Sequence, residues 1–252
     1  MRRFFSSDLW LAFLIIAPVL LGWEILVRAL QLPIYLLPAP TRILRTLFEN
    51  LPLYANASVI TLGEAVAGLL LGLTAGAFGA TLLGLWPRME RGVMTLAILV
   101  KSTPLVAIAP LLTIWLGFGV VPKIIITALL TFFPVLVNLL SGLRSTDVAL
   151  LDTFQSWHAS RWEVFLNARL PSATPHLFAA LKVSAPLALI GAVVAEWTGA
   201  SGGLGRTMWL AYTNLNLPFL FAAVFILASM GVALYTLVIF IEDRVYFWEG
   251  TA

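Results

Sequence analysis

The groups in this chain that could do chemistry are few, and most of them stand where water is scarce. Glu24, Glu64, Lys101, Lys182 and Glu196 each fall within or beside a long apolar run. At membrane depth an ionised side chain costs a few kcal/mol, so one kept there reads by default as a pathway, gate or pairing group. Lys182 and Glu64 stand near the ends of their runs, where long side chains reach the interface. Lys101 and Glu196 lie deeper or adjoin irregular sequence, and with Ser102, Pro104 and Asn138 they are the candidates for lining a polar route. A proline in such a run frees a carbonyl that a neighbour or cavity water has to satisfy. Hydroxyl and amide groups also serve as ordinary glue between helices, at about 0.6 kcal/mol each.

Bond-making chemistry has poorer support. The chain has no cysteine and two histidines, His158 and His176. That composition excludes thiol nucleophiles, thiolate zinc sites, iron–sulfur clusters and a histidine-rich metal site, so neither a metal nor a cofactor is expected. A nucleotide cradle places its lysine directly after a glycine, whereas Lys101, Lys123 and Lys182 follow Val100, Pro122 and Leu181. No H-E-x-x-H occurs. Ser201-Gly202-Gly203-Leu204-Gly205 lacks the spacing of a dinucleotide fingerprint and reads as a loop. The chain is expected to be no enzyme.

The elements that hold these residues follow from composition. Of 252 residues, 61% are hydrophobic and 11% charged, and the mean hydropathy is +0.99, leaving too little polar surface to coat a water-facing globule. The net charge of +3 is spread without a dense basic cluster, which argues against nucleic acid as partner. About 20 apolar residues cross a bilayer core as a helix. Six runs qualify: Leu9 to Leu30, Leu62 to Leu85, Val93 to Phe118 broken by Pro104 and Pro110, Pro122 to Leu143, Leu177 to Trp197, and Pro218 to Ile241. The fold expected is an all-α membrane protein of about six transmembrane helices. Basic residues favour N-in/C-in, since Lys and Arg are retained inside during insertion. A cleaved leader is disfavoured, because the first apolar run is too long for one.

Three further patterns stand out. Gly68, Gly72, Gly76, Ala80 and Gly84 recur every four residues, putting a small-residue seam on one helix face where another backbone can approach; the seam is either fixed packing or a sliding surface. Leu36-Leu37-Pro38-Ala39-Pro40 stops regular helix, and Thr41 is placed to cap an amphipathic interfacial stretch from Arg42 to Leu51. Between Arg144 and His176 lies the one long connection on the inner side, where Phe154, Trp157, Trp162 and Phe165 recur among polar residues. An exposed aromatic face needs cover, either from the chain's own spans or from a partner whose groove receives it.

That connection resembles the EAA loop of permease subunits of ABC importers. Asp152 takes the acidic place, Ala159-Ser160 follow the glycine place and Leu170-Pro171 close the motif. Thr153 and Phe154 stand where two small residues are usual, and His158 stands at the glycine, a position that calls for a left-handed turn. Leu37-Pro38-Ala39-Pro40, Lys101-Ser102-Thr103-Pro104, Trp115-Leu116-Gly117-Phe118-Gly119 and Val194-Ala195-Glu196-Trp197 resemble the nitrate, sulfonate and taurine permease group, which also includes hydroxymethylpyrimidine and riboflavin permeases.

The resemblance implies a type I importer permease (MetI-like) with residues 1–252 as a single transmembrane domain and 144–176 as its cytoplasmic coupling loop, located in a prokaryotic inner or plasma membrane. Asp152, Thr153, Phe154, Trp157, His158, Ala159, Ser160, Trp162, Leu170 and Pro171 would then meet a separate ABC ATPase subunit. A second copy would complete the pathway within the lipid bilayer, and an extracytoplasmic binding protein would deliver a sulfonate, taurine or nitrate-like anion, or a vitamin or its precursor. The alternatives are a secondary transporter or channel, for which no inverted repeat is visible, and an intramembrane enzyme or scaffold.

Overall fold

The computed structural model describes residues 2–245, with side chains from residue 14, and these form helices and turns. Helix α1 spans Arg2–Ala29, α2 Pro40–Glu49 and α3 Leu51–Leu85. A single 3-10 turn, Pro87–Met89, leads into α4, Glu90–Ser102. Then come α5, Leu105–Leu116, α6, Val120–Arg144, α7, Val148–Ser156, and the short α8, Arg161–Val164. A π turn over Phe165–Arg169 joins α8 to α9, Leu170–Glu196. Helices α10, Leu204–Thr213, and α11, Leu217–Val245, complete the described residues.

Leu51–Leu85, Val120–Arg144, Arg161–Glu196 and Leu217–Val245 are each long and apolar enough to cross a membrane. Pro87–Ser102 and Leu105–Leu116 qualify only as a pair, bent by 92° at their junction. The described residues thus supply four such helices and one broken span. The first expected span, Leu9 to Leu30, falls on α1, and its opening residues lie outside the described side chains. Of the two prolines expected to break the third span, only Pro104 does so. It precedes α5 with extended backbone, whereas Pro110 sits within α5 without ending it.

The core is a trio, with α3 and α9 both packed along α6. Sequence explains the intimacy: Gly68, Gly72, Gly76, Ala80 and Gly84 are all buried, and they face α6. A β-carbon at Gly68 would strike Thr127, and one at Gly76 would meet the Phe132 carbonyl and Val135. With no side chain in the way, the two backbones come close enough for dispersion contacts along the seam. Gly191 and Gly142 do the same for α9 against α6, at Thr127 and His176 respectively. At one end of the trio Leu83, Leu139, Leu140, Leu143, Phe165 and Ala173 form a compact apolar cluster. Trp86 leaves helical geometry ahead of Pro87, as residues before proline tend to do, and this stops α3.

Around the trio, α11 packs on α9, α10 and α2, while α1 rests mainly on α2. The expected interfacial helix exists, but its start differs. Ala39 occupies the N-cap position and Pro40 opens the helix. The Thr41 hydroxyl is turned away to Glu24, at 2.8 Å, and the Glu24 carboxylate accepts the Thr41 backbone N–H at 3.0 Å. A carboxylate from α1 therefore does the capping, which sequence-local reasoning could not anticipate. Arg28 completes the cluster, 2.6 Å from Glu24.

The seam yields a direct test. A β-carbon at Gly72 would meet the Thr131 hydroxyl and the Ala128 carbonyl, while one at Gly63 would meet nothing within 4 Å. Gly72→Val is expected to destabilise by about 1–3 kcal/mol through overpacking, read as a lowered midpoint in thermal unfolding of the purified chain. Gly63→Ala should leave that midpoint unchanged or slightly raised.

Candidate functional site

Two places concentrate unusual geometry: the connection between α6 and α9, and a buried charge network at the opposite end of the trio. In the first, Asp147 caps α7 by accepting the Ala149 N–H at 3.0 Å. The helix is stopped by a left-handed residue: His158 has φ +56°. The His158 N–H donates to the Gln155 carbonyl and the Ala159 N–H to the Phe154 carbonyl, each at 3.0 Å. These are the paired bonds of a Schellman stop, in which glycine is the usual left-handed residue and a bulkier one is less readily accommodated. Two residues later Ser160 starts α8 with a capping box. Its hydroxyl accepts the Glu163 N–H at 3.3 Å, and the Glu163 carboxylate accepts the Ser160 N–H at 2.7 Å.

These caps convert the single amphipathic stretch suggested by the aromatic spacing into two helices meeting at a corner. Trp157 is 71% exposed and packs edge-on against Phe154 at 5.9 Å between ring centres. Trp162 is 59% exposed and stands against Phe165 at 5.7 Å. Phe165 itself is buried in the trio's apolar cluster, so it anchors the corner. Arg169 donates to the Gly84 carbonyl at 3.1 Å, and Arg144 pairs with Glu90. Asp152, Thr153 and His158 are exposed, Ala159 is half-buried, and Leu170 and Pro171 lie exposed at the start of α9. A cavity of about 470 Å³ opens beneath, lined by Gly84, Leu151, Gln155, Arg161 and Arg169 among others.

At the other end Lys123 of α6 lies 2.6 Å from Glu64 of α3, with 8% and 3% of the two residues exposed. Glu64 does not reach outward as a long side chain near the end of an apolar run can: it is buried against α6. Lys123 turns inward in the first turn of α6. Beside them Glu196 is fully buried. One of its oxygens is 2.7 Å from the Thr61 hydroxyl, and the other accepts the backbone N–H groups of Gly205 and Arg206. Thr61 in turn accepts the Leu204 N–H at 2.8 Å. Gly203, at φ +105°, passes so close that a β-carbon would overlap the Glu196 carboxylate. The Gly-Gly-Leu-Gly run is thus a wrap around an acid at the N-terminus of α10, where the helix dipole favours negative charge.

The residues considered for a polar route do not converge. Lys101 is exposed and sits 4.5 Å over the Phe133 ring. Lys123 and Phe133 are ten residues apart on α6, about 15 Å along its axis, so Lys101 and Glu196 do not meet. Ser102 and Pro104 are exposed at the 92° elbow. Asn138 donates to its own helix, at the Pro134 carbonyl, 2.8 Å away. Lys182 pairs with Glu242 of α11 at 2.6 Å, both partly exposed.

Removing one partner of a buried ion pair strands the other charge, typically at a cost of about 3–5 kcal/mol. Lys123→Met is therefore expected to collapse thermal stability of the purified chain, because it leaves the buried Glu64 and Glu196 without a cation.

Sequence and fold comparisons agree with one another. Residues 68–246 match the family described as the binding-protein-dependent transport system inner membrane component. The formylaminopyrimidine transport permease protein of Halalkalibacterium halodurans is 34% identical, over 90% of this chain and 91% of that protein. The riboflavin transport system permease protein of Chloroflexus aurantiacus is 30% identical, over 92% and 88%. An inward-facing methionine ABC transporter structure superposes with a TM-score of 0.62 at 18% identity, over 77% of this chain and 95% of that one, a likeness of fold. The chain belongs to the binding-protein-dependent transport system inner membrane components, the permease subunits of ABC importers.

Proposed function

We propose that this permease couples to its ATPase through residues 144–176, with Trp157 and the Phe154 ring beside it as the principal docking surface. The observation that carries this reading is the Schellman stop at His158, which fixes the exposed Trp157 against the half-buried Phe154 at a corner of the chain. A tryptophan left 71% exposed on a fixed corner is a hydrophobic anchor suited to a partner's groove. Asp152, Thr153, Ala159, Ser160, Trp162, Leu170 and Pro171 frame it. The helix Arg161–Glu196 then carries displacement of that corner across the bundle.

In this reading α1 joins the four long helices and the broken α4–α5 span to make six passes with both ends inside. Arg88, Arg91, Arg144, Arg161 and Arg169 gather at the end of the trio that holds the docking corner, which suits a cytoplasmic face. A second copy of the chain completes the translocation route, the elbow at Ser102 and Pro104 and the Lys101 ammonium face that route, and a binding protein delivers the solute outside. Relatives named for formylaminopyrimidine and riboflavin, matched over about nine-tenths of the chain, favour a planar heteroaromatic vitamin or precursor as cargo.

Trp157→Asp and Phe154→Asp should each abolish ATPase co-purification and solute uptake in proteoliposomes containing the permease, its ATPase and its binding protein. Uptake and co-purification at the unsubstituted level would overturn the docking assignment. Cargo is checked on the same vesicles by competing pyrimidine, flavin and taurine.

A further inference from the structure

We propose that Glu64 and Glu196 hold one proton between them inside the helix bundle. Three ionisable side chains meet there: Glu64 from α3, Lys123 from α6 and Glu196 from α9, respectively 3%, 8% and 0% exposed. Among the described residues, the α10 side contributes the backbone N–H groups of Gly205 and Arg206. Two carboxyl groups thus face one ammonium, in a place from which water is largely displaced. Lys123 neutralises one acid, leaving a surplus negative charge that burial makes expensive. Glu196 is bonded to Thr61, one turn from Glu64 on α3, and two carboxylates sharing a site cannot both be ionised without strong repulsion.

The hydrogen-bond inventory points to where the proton sits. Glu64 Oε1 accepts from the Lys123 ammonium at 2.6 Å. Glu64 Oε2 is buried and finds no donor among the described residues. Glu196 Oε2 accepts the two N–H groups at the start of α10, and its Oε1 faces Thr61. The Thr61 hydroxyl has one hydrogen and two acceptors within reach, Glu196 Oε1 at 2.7 Å and the Ala57 carbonyl at 3.1 Å.

A proton on Glu64 Oε2, donated toward Glu196, meets each requirement together. It turns the unpartnered acceptor into a donor with a partner and keeps Oε1 available to Lys123. The ionised acid remains at the N-terminus of α10, where backbone N–H groups and the helix dipole favour it. The sum of charges over Glu64, Lys123 and Glu196 becomes zero. No other bond forms or breaks, and the proton comes from solvent as the bundle assembles. The proton also secures the α9–α10 connection to α3, because the carboxyl-to-carboxylate hydrogen bond joins Glu64 to the acid around which Gly203 and Gly205 wrap.

The test is infrared spectroscopy of the permease with its ATPase in lipid nanodiscs at neutral pH. A carbonyl stretch of a protonated carboxylic acid, shifted down in D₂O, is expected in the unsubstituted complex and should vanish in Glu64→Gln and in Glu196→Gln. Either variant suffices if the other fails to assemble, since removing one partner lets the remaining acid ionise. Glu64→Gln should also keep the thermal midpoint near that of the unsubstituted complex, because the amide reproduces the donor. Absence of the band at neutral pH, or its persistence in a substituted complex, would overturn the proposal and leave a bound water or ion to satisfy Glu64 Oε2.

Discussion

The close approach of α3 and α9 to α6 is the constraint on which the other features of the molecule depend. Lipid tails are as apolar as leucine, so helices gain nothing by hiding oil from oil and must be held by contact and by polar bonds. The seam from Gly68 to Gly84 supplies contact, and the Lys123–Glu64 pair supplies the bond at one end. Neither works alone. A β-carbon in the seam would separate the helices and lengthen that bond, and loss of Lys123 would leave the buried acids beside it without their cation.

Much of this was legible in the sequence, for identifiable reasons. The seam was visible because its period is four and its residues are small, and the elbow because Pro104 biases the residue before it away from the helix. The left-handed residue at His158 was legible only by resemblance, since histidine carries no strong local signal for that conformation. What stayed hidden was pairing between distant segments. Glu64 and Lys123 are separated by 59 positions, and nothing local in either run announces the other. Thr41 looked like a cap because its type and place fit, yet Glu24 from another helix took that role. The aromatic spacing in 154–165 pointed to one continuous face, and the short-range bonds at Gln155, Phe154 and Ser160 divided it in two.

The trio also gives the molecule a mechanical asymmetry. At one end Arg169 ties the connection to the last carbonyls of α3, and Phe165 is seated among leucines. At the other, Glu196 finishes the same continuous helical path and is locked to Thr61 and to the start of α10. The helix Arg161–Glu196 is therefore held at both ends, by an apolar seat and by an acid wrapped in backbone. Motion of one end has few ways to dissipate before reaching the other, whereas α11, with little of its span buried, packs at the bundle's edge.

The wide turn at Phe165–Arg169 adds something a straight rod would lack. A π turn houses one residue more than its α-helical equivalent, so it resets the azimuth of everything beyond it. In this chain it lies between the half of the rod that presents Trp162 and the half that ends at Glu196. The orientation of the exposed ring is thereby uncoupled from the angular register the bundle demands of α9. Within a shared scaffold, relatives could retune the direction of their docking surface by shifting that single extra residue, without disturbing the glycine-lined interior.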